Sequence, residues 1–339
     1  MKANVVGQWL VIGVAILAWS GVSAAAPAGT EKSGKPGVKA ATKPASGPKP
    51  TLADVPYGPH PKQVLDFYRA DSPTPTPLVF YIHGGGWVAG SKSPFNAAGF
   101  LKAGISVVSI EYRFVSEAQS AGVKPPVAWS LHDAARALQF VRSKAGPWNI
   151  DKTRIGATGG SAGACSSLWL AFHDDMADPK SADPVAQEST RLMCAAVNGA
   201  QTTLDPRQMK EWTPNSNYGG HAFGFTGDRK KGISPFQQFL EGREKILPWI
   251  KEYSPYELAS SDDPPVFLYY GAPPALGQSQ KDPTHTANFG LKLQEKLRAL
   301  GVTCYLAYPG APDLKYHNCS EYLIATLNGS AEQKGSDKK

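Results

Sequence analysis

Gly159-Gly160-Ser161-Ala162-Gly163 is the stretch that decides the fold. A predicted β-strand at 154–158 precedes it directly, and the apolar run 164–171 follows it and predicts a helix. A serine between a strand and a helix, with small neighbours, occupies a sharp turn that lifts its hydroxyl clear of the sheet. The helix N-terminus behind it favours developing negative charge. Ser161 is therefore the candidate nucleophile, and a structural Gly/Ser-rich turn is the alternative.

A second glycine-rich motif, His83-Gly84-Gly85-Gly86-Trp87, follows the apolar run 78–82, which predicts another strand. Glycines leave backbone N–H groups unobstructed, so the N–H groups of Gly84, Gly85 and Ala162 are candidates for an oxyanion hole. By itself the motif also suits a phosphate loop or an ordinary turn. Its combination with the serine motif, each directly after a strand, favours the oxyanion hole.

Apolar runs bounded by glycine and proline alternate with helical patterns along the rest of the chain, as in a parallel sheet with crossover helices. The expected fold is therefore α/β: a mostly parallel, doubly wound sheet with helices on both faces. The predicted strands are 63–68, 78–82, 105–110, 154–158, 194–198, 266–270 and 303–308.

The segment from about 201 to 261 interrupts this alternation. It is rich in Pro, Gly, Trp and Tyr, and it is too long for a plain loop in a compact domain. We therefore expect a cap inserted between two strands, within a domain that covers residues 53–329.

The net charge of +7 looks like a sign of nucleic-acid binding until it is located along the 339 residues. Residues 1–50 hold six lysines and one acid, so the rest of the chain is nearly neutral. A basic groove for phosphate backbones is not indicated. The four cysteines show no metal-type spacing such as C-x-x-C.

The N-terminus is typical of a secretory signal at residues 1–24. Lys2 precedes an apolar run, and Val22-Ser23-Ala24 fits a signal-peptidase site. A membrane anchor is the alternative, because residues 5–22 are about long enough to span a bilayer. Residues 25–52 and 330–339 have little to bury and are expected to be a disordered linker and tail. A cleaved signal would make the protein secreted or periplasmic.

The two motifs, together with Glu111-Tyr112-Arg113 and Trp148-Asn149-Ile150-Asp151, resemble the α/β-hydrolase superfamily. The resemblance is to its lipases, esterases and hormone-sensitive-lipase-like carboxylesterases, which carry HGGGW and GGSAG, and it spans about residues 57–327. It implies an α/β-hydrolase fold, a Ser-His-Asp triad in the chain order Ser, acid, His, and no metal or organic cofactor.

The resemblance implies a base after the cap, near the end of the sheet, which leaves His285 and His317. His317 follows the last predicted strand through a Pro-Gly loop, where the family has its base, and is therefore the expected base. Its alternative is a polar residue near a helix start. His285 is only three residues from the candidate acid, so a triad pairing of the two looks sterically awkward. It is expected in a first helical turn or in the lining of an acyl or alcohol pocket.

The resemblance also implies an acid in the loop after the strand 266–270, and Asp282 is the only acid there. Asp282-Pro283 matches the family's usual Asp-Pro, although the loop is longer than the family pattern. An aspartate before proline also suits a helix N-cap. Asp313 is the second candidate, although it lies close in sequence to His317.

The resemblance thus implies a carboxylesterase-type serine hydrolase that cleaves esters through an acyl-enzyme. Its expected partner is a small-molecule or polysaccharide-linked ester, with acetyl or feruloyl groups as candidates. No nucleic acid and no membrane span in the mature form are expected. A serine peptidase of the same fold, or an inactive binding protein on a hydrolase scaffold, are the alternatives.

Overall fold

The computed structural model describes residues 47–93 and 95–329, and its centre is one eight-stranded sheet. The expected signal peptide, most of the linker and the tail lie outside the described residues. The strands follow the order β1-β2-β4-β3-β5-β6-β7-β8 across the sheet. Their bounds are β1 (Leu52–Pro56), β2 (Val64–Tyr68), β3 (Thr76–Ile82), β4 (Ser106–Ile110), β5 (Ile150–Gly160), β6 (Cys194–Asn198), β7 (Val266–Tyr269) and β8 (Cys304–Ala307).

Six strands run parallel to one another: β4, β3, β5, β6, β7 and β8. Strand β2 pairs antiparallel with both β4 and β1. Parallel strands covered on both faces are apolar throughout, and every residue of β4 is buried. The predicted mostly parallel, doubly wound sheet is therefore confirmed. The sequence did not predict β1, because this largely exposed edge strand has no continuous apolar run.

Two hydrophobic clusters cover the two faces of the sheet. Along β3, Phe80 and Ile82 belong to one cluster and Val79 to the other, as alternation along a strand requires. The helices are α1 (Ala98–Lys102), α2 (Val115–Ser120), α3 (Val127–Ser143), α4 (Ala145–Trp148), α5 (Ala162–Phe172), α6 (Pro206–Trp212), α7 (Pro235–Gly242), α8 (Leu247–Tyr253), α9 (Pro255–Leu258), α10 (Ala287–Ala299) and α11 (Cys319–Leu327). Helices α3, α5 and α10 pack on the first face, and α1 and α11 on the second.

The segment between β6 and β7 contains helices α6 to α9 and three 3₁₀ turns instead of a simple crossover helix. Its buried side chains Met209, Trp212 and Phe239 join the hydrophobic cluster on the α5 face. This segment includes the residues for which a cap is expected. Within residues 47–93 and 95–329, no helix is both long and apolar enough to cross a membrane.

Candidate active site

Ser161 lies at the turn between β5 and α5, in a backbone conformation that residues other than glycine rarely adopt. Its φ is 54° and its ψ is −122°, and its N–H donates to the carbonyl of Asn198 at 3.0 Å. Such a conformation costs about 1–3 kcal/mol and persists only where the surroundings impose it. The neighbouring glycines permit the turn, since a Cβ on Gly163 would lie 2.1 Å from the carbonyl oxygen of Ile82. The strained serine therefore stands at the carboxyl edge of the sheet.

The glycine-rich loop after β3 lies directly beside this serine. A Cβ on Gly84 would be 2.6 Å from the carbonyl oxygen of Gly160 and 3.5 Å from Cβ of Ser161, so only glycine allows this approach. Gly85 has a φ of 105°. Among the described residues, no acceptor takes up the N–H groups of Gly84, Gly85 or Ala162. The structure thus brings the expected oxyanion loop next to Ser161.

Hydrogen bonds hold the shape of this loop from several sides. Nδ1–H of His83 donates to the carbonyl of Gly84 at 2.7 Å, and the hydroxyl of Tyr112 donates to the carbonyl of His83 at 2.9 Å. From the inserted segment, Nε2–H of His221 donates to the carbonyl of Gly86 at 2.8 Å. Burial lowers the pKa of His221, so this histidine stays neutral around pH 7.

The partly buried carboxylate of Glu111 accompanies His83 beside the loop. Oε2 of Glu111 lies 3.4 Å from Nε2 of His83. Burial acts to raise the pKa of Glu111, but the adjacent His83 ring and the hydrogen bond from the N–H of Lys92 outweigh it, and the pKa is lowered. Glu111 is therefore ionised beside the oxyanion loop.

His285, and not His317, is the histidine that meets the serine. Nε2 of His285 lies 2.9 Å from Oγ of Ser161, and its Nδ1 lies 2.8 Å from Oδ2 of Asp282. Burial acts to raise the pKa of Asp282, but the hydrogen bonds from the His285 ring and from the N–H groups of His285 and Thr284 outweigh that effect, and the pKa is lowered. The structure therefore aligns a carboxylate, an imidazole and a hydroxyl.

The expected steric difficulty between Asp282 and His285 does not arise, because the chain between them forms a tight turn. Oδ1 of Asp282 accepts the N–H groups of Thr284 and His285, at 3.1 and 3.2 Å, which folds the carboxylate back over the turn. His285 also precedes Thr286, the N-cap of α10, so it is not in the helix. Its ring is free to bridge Asp282 and Ser161.

The structure does not bring His317 to the serine, which corrects the expected geometry. The side chain of His317 is 71% exposed, and its Nδ1 lies 3.3 Å from Oε2 of Glu321. Its own N–H donates to the same carboxylate at 2.8 Å, just before Asn318 caps α11. This contact agrees with the alternative given for His317, a polar residue near the start of a helix. Asp313 lies in an exposed turn with a φ of 46° and does not line the serine cleft.

The buried segment 199–204 after β6, called the strap, supports the turn 282–285 that contains Asp282 and His285, called the acid–base turn. Sequence analysis did not identify this support. The fully buried side-chain amide of Gln201 donates to the carbonyls of Thr284, at 2.7 Å, and Gly199, at 3.2 Å. Gly199 has a φ of 59°, and a Cβ there would lie 3.3 Å from Cβ of His285. The strap therefore fixes both the turn and the space beside the imidazole. Its only sequence signal is a polar residue in a run that continues an apolar strand.

An open cleft of about 910 Å³ lies over the three side chains. Its walls come from the ends of β3, β5 and β6 and from the loop after β7. The lining residues are Tyr81, Gly84, Gly160, Ser161, Asn198, Gly199, Gly271, Ala272, Gln280, Lys281, Asp282, Pro283, His285 and Thr286. In the part of the chain that the structure describes, no cluster of three or more His, Cys, Asp or Glu side chains could hold a metal ion.

A family model described as BD-FAE matches residues 65–281, more than half of the chain. The chain belongs to the BD-FAE family. This is a family of α/β-hydrolase esterase domains, so the resemblance to the α/β-hydrolase superfamily is confirmed. The match contains both glycine-rich motifs and ends one residue before Asp282, so the acid–base turn lies outside it.

Individual relatives agree with the family. Esterase LipQ of Mycobacterium tuberculosis is 25% identical over 231 residues, which are 65% of this chain and 48% of LipQ. Gut esterase 1 of Caenorhabditis briggsae is 38% identical over 103 residues, which are 28% of this chain and 18% of that protein. The chain therefore spans less than half the length of these two curated relatives.

A solved structure shares the fold. The acetyl ester-xyloside bifunctional hydrolase of Caldicellulosiruptor lactoaceticus has a TM-score of 0.54 and 24% identity, and the alignment covers 72% of this chain and 76% of that one. This likeness places both chains in the α/β-hydrolase fold.

Proposed function

We propose that the protein is a carboxylesterase that works through an acyl-enzyme on Ser161, with His285 as the base and Asp282 as the acid. The carrying observation is the continuous pair of contacts from Oδ2 of Asp282 to Nδ1 of His285, at 2.8 Å, and from Nε2 of His285 to Oγ of Ser161, at 2.9 Å. His285 takes the place that the sequence assigned to His317. The chain order Ser, acid, His is kept.

In the acylation step, Nε2 of His285 accepts the proton of Ser161 as Oγ attacks the ester carbonyl carbon. The charged carboxylate of Asp282 holds Nδ1–H and stabilises the imidazolium that forms. His285 then gives the proton to the departing alkoxide oxygen, which leaves as the alcohol. Water then gives a proton to His285 as its oxygen attacks the acyl carbon. His285 returns that proton to Oγ of Ser161 as the bond to the acyl carbon breaks and the free acid leaves.

The oxyanion of each tetrahedral intermediate is held by the N–H groups of Gly84, Gly85 and Ala162. A donor of this kind contributes about 3 kcal/mol to transition-state stabilisation. The contacts of His83, Tyr112 and His221 with the loop keep these donors preorganised. Preorganised donors are effective because they do not reorient as charge develops.

The proposed substrates are esters of small or medium acyl groups, with acetyl or feruloyl groups on polysaccharide as candidates. The named activity of the Caldicellulosiruptor lactoaceticus neighbour includes an acetyl ester and a xyloside, which supports a carbohydrate ester. The open cleft of about 910 Å³ is wide enough for a bulky alcohol. The segment 201–261 is proposed as the cap of the domain 53–329, because His221 within it contacts the oxyanion loop.

We further propose that residues 1–24 are a secretory signal, followed by a linker over 25–52, with a tail at 330–339. The protein is then secreted or periplasmic, or anchored if the signal is not cleaved. A polysaccharide ester outside the cytoplasm is compatible with this location.

Labelling and turnover together test the proposed function. A fluorophosphonate probe should label the wild-type protein and leave Ser161→Ala unlabelled, because the probe reacts with an activated serine hydroxyl. A panel of p-nitrophenyl esters beside a peptide p-nitroanilide should show ester hydrolysis without amide hydrolysis. An unlabelled wild-type protein would support the inert scaffold, and amide cleavage at a comparable rate would support the peptidase.

A further inference from the structure

A second cavity adjoins the catalytic cleft and has no role in the mechanism above. It has a volume of about 350 Å³, which lies in the range of small-molecule sites. Three residues, Tyr81, Gly160 and Asn198, line both the cavity and the catalytic cleft. Gly160 precedes Ser161, and the carbonyl of Asn198 accepts the N–H of Ser161 at 3.0 Å. The cavity therefore opens beside the nucleophile.

The cavity and the catalytic histidine belong to opposite faces of the sheet. His285 precedes α10, whose Phe289 and Leu293 pack in the same cluster as α5. The cavity is lined by Phe100 of α1 and Cys319 of α11, which belong to the other cluster. No residue of the turn 280–286 appears in its lining. The elements that line the cavity therefore pack on the sheet face opposite to α10, the helix that follows His285.

Ester cleavage assigns the two sides to the two halves of the substrate. The alkoxide oxygen must face Nε2 of His285, because that atom delivers its proton. The alcohol therefore occupies the part of the cleft near His285, lined by Gln280 and Pro283. The acyl substituent leaves the carbonyl carbon in another direction, away from the imidazole. The cavity shares Gly160, the residue before Ser161, with the cleft, and no residue of the turn 280–286 lines it.

The lining of the cavity is aromatic and uncharged. Tyr81 and Phe95 stack with ring centroids 4.2 Å apart, and Phe95 and Phe100 with centroids 6.2 Å apart. Burial raises the pKa of Tyr81, and it raises the pKa of the Cys319 thiol to about 12, so both stay neutral. The remaining lining residues are Thr158, Gly159, Gly160, Asn198, Tyr269, Asn318 and Ser320. No lysine, arginine, aspartate or glutamate is among them, which disfavours a charged ligand.

We propose that this cavity, the acyl pocket, binds the apolar part of a neutral acyl group from butanoyl to octanoyl in length. The proposal rests on the proposed esterase function and names its acyl specificity. Each methylene that enters the pocket should raise kcat/KM about fourfold, from the transfer free energy of a buried methylene. The butanoate ester, with two more methylenes, should therefore exceed the acetate ester about 16-fold.

Two tryptophan substitutions, one at each cavity, test this assignment. Ser320 is an exposed residue at the rim of the acyl pocket, and Gln280 lines the cleft near His285. The kcat/KM values of Ser320→Trp, Gln280→Trp and the control variant Ser261→Trp are measured on two series. One series varies the acyl chain at constant p-nitrophenol, from acetate to octanoate, and the other varies the alcohol at constant acetate. Melting temperatures verify that each variant is folded.

Ser320→Trp should remove the gain from p-nitrophenyl acetate to p-nitrophenyl octanoate. Ser261→Trp, at an exposed residue that lines neither cavity, should keep that gain, and Gln280→Trp should keep it while changing the alcohol series. A Ser320→Trp variant that keeps the gain per methylene, or loses activity on large alcohols instead, would overturn the pocket assignment. If these variants still hydrolyse p-nitrophenyl acetate and Ser161→Ala does not, the esterase proposal stands even when the pocket assignment fails.

Discussion

The carboxylate of Asp282 and the imidazole of His285 are three residues apart in the chain and form a hydrogen bond of 2.8 Å. The N–H groups of Thr284 and His285 donate to the other oxygen of the same carboxylate, so one short turn contains both groups. The position of the imidazole relative to Ser161 therefore depends on the turn and on what anchors it. The loop after β8, where the base was expected, does not contribute the histidine that contacts Ser161.

Asp282→Asn tests whether this carboxylate orients the base. The amide oxygen of asparagine can still accept the N–H groups of the turn, so the turn should persist. Its NH₂ group cannot accept Nδ1–H, which favours the wrong tautomer of His285. We expect kcat to fall on the order of 10³-fold with little change in melting temperature. A variant within tenfold of wild type would show that Asp282 acts only as a turn residue.

Gln201→Leu tests the anchor of the turn. Leucine has a similar size but no donor for the carbonyls of Thr284 and Gly199. We expect kcat to fall about 10- to 100-fold with KM nearly unchanged, because a small displacement of the imidazole impairs proton transfer more than binding. Thr202→Val is the matched control in the same strap, since it removes the buried hydrogen bond from the Thr202 hydroxyl to the carbonyl of Phe289. It should reduce stability by about 1 kcal/mol and leave kcat intact. Equal kcat losses in both variants would indicate general loosening.

Ser161→Gly and Ser161→Ala test the strain at the nucleophile. Both remove the hydroxyl and should be inactive. Only glycine adopts a φ of 54° with a ψ of −122° without steric cost, so Ser161→Gly should be about 1 kcal/mol more stable than Ser161→Ala. Urea unfolding of the two proteins measures the difference. If the alanine variant is the more stable one, the turn is not strained in solution.

Asp263→Asn tests a buried carboxylate away from the site. Burial raises the pKa of Asp263 to about 6, and its Oδ1 is 3.9 Å from the Arg191 guanidinium, too far for a hydrogen bond. The folded pKa exceeds the ordinary value of 3.8, so ionisation disfavours the folded state progressively as the pH rises from about 4 to 6. Asp263→Asn should therefore stabilise the protein at pH 8 and lose this advantage as the pH falls through 6 towards 4. Urea unfolding at several pH values measures the difference in the free energy of unfolding between the two proteins. A difference that does not change between pH 4 and 8 would contradict this prediction.

The sequence predicted the features that depend on local patterns. The motif around Ser161 and the loop at Gly84 each follow an apolar run, and strand–turn–helix context identifies such turns without tertiary information. The identity of the base could not be predicted in this way. His285 and His317 both lie after the inserted segment, and the choice depends on the turn at Asp282 and the buried contact of Gln201, which are tertiary features.

The rate of acylation in His285→Ala and His317→Ala, measured side by side in single turnovers with p-nitrophenyl acetate, tests the central claim most directly. His285→Ala should slow acylation by at least about 10³-fold, close to Ser161→Ala, because the triad acts as a unit. His317→Ala should stay within about twofold of wild type, since the polar contact of its exposed ring is with the Glu321 carboxylate and not with Ser161. The reverse order, with His317→Ala nearly inactive and His285→Ala active, would contradict the account.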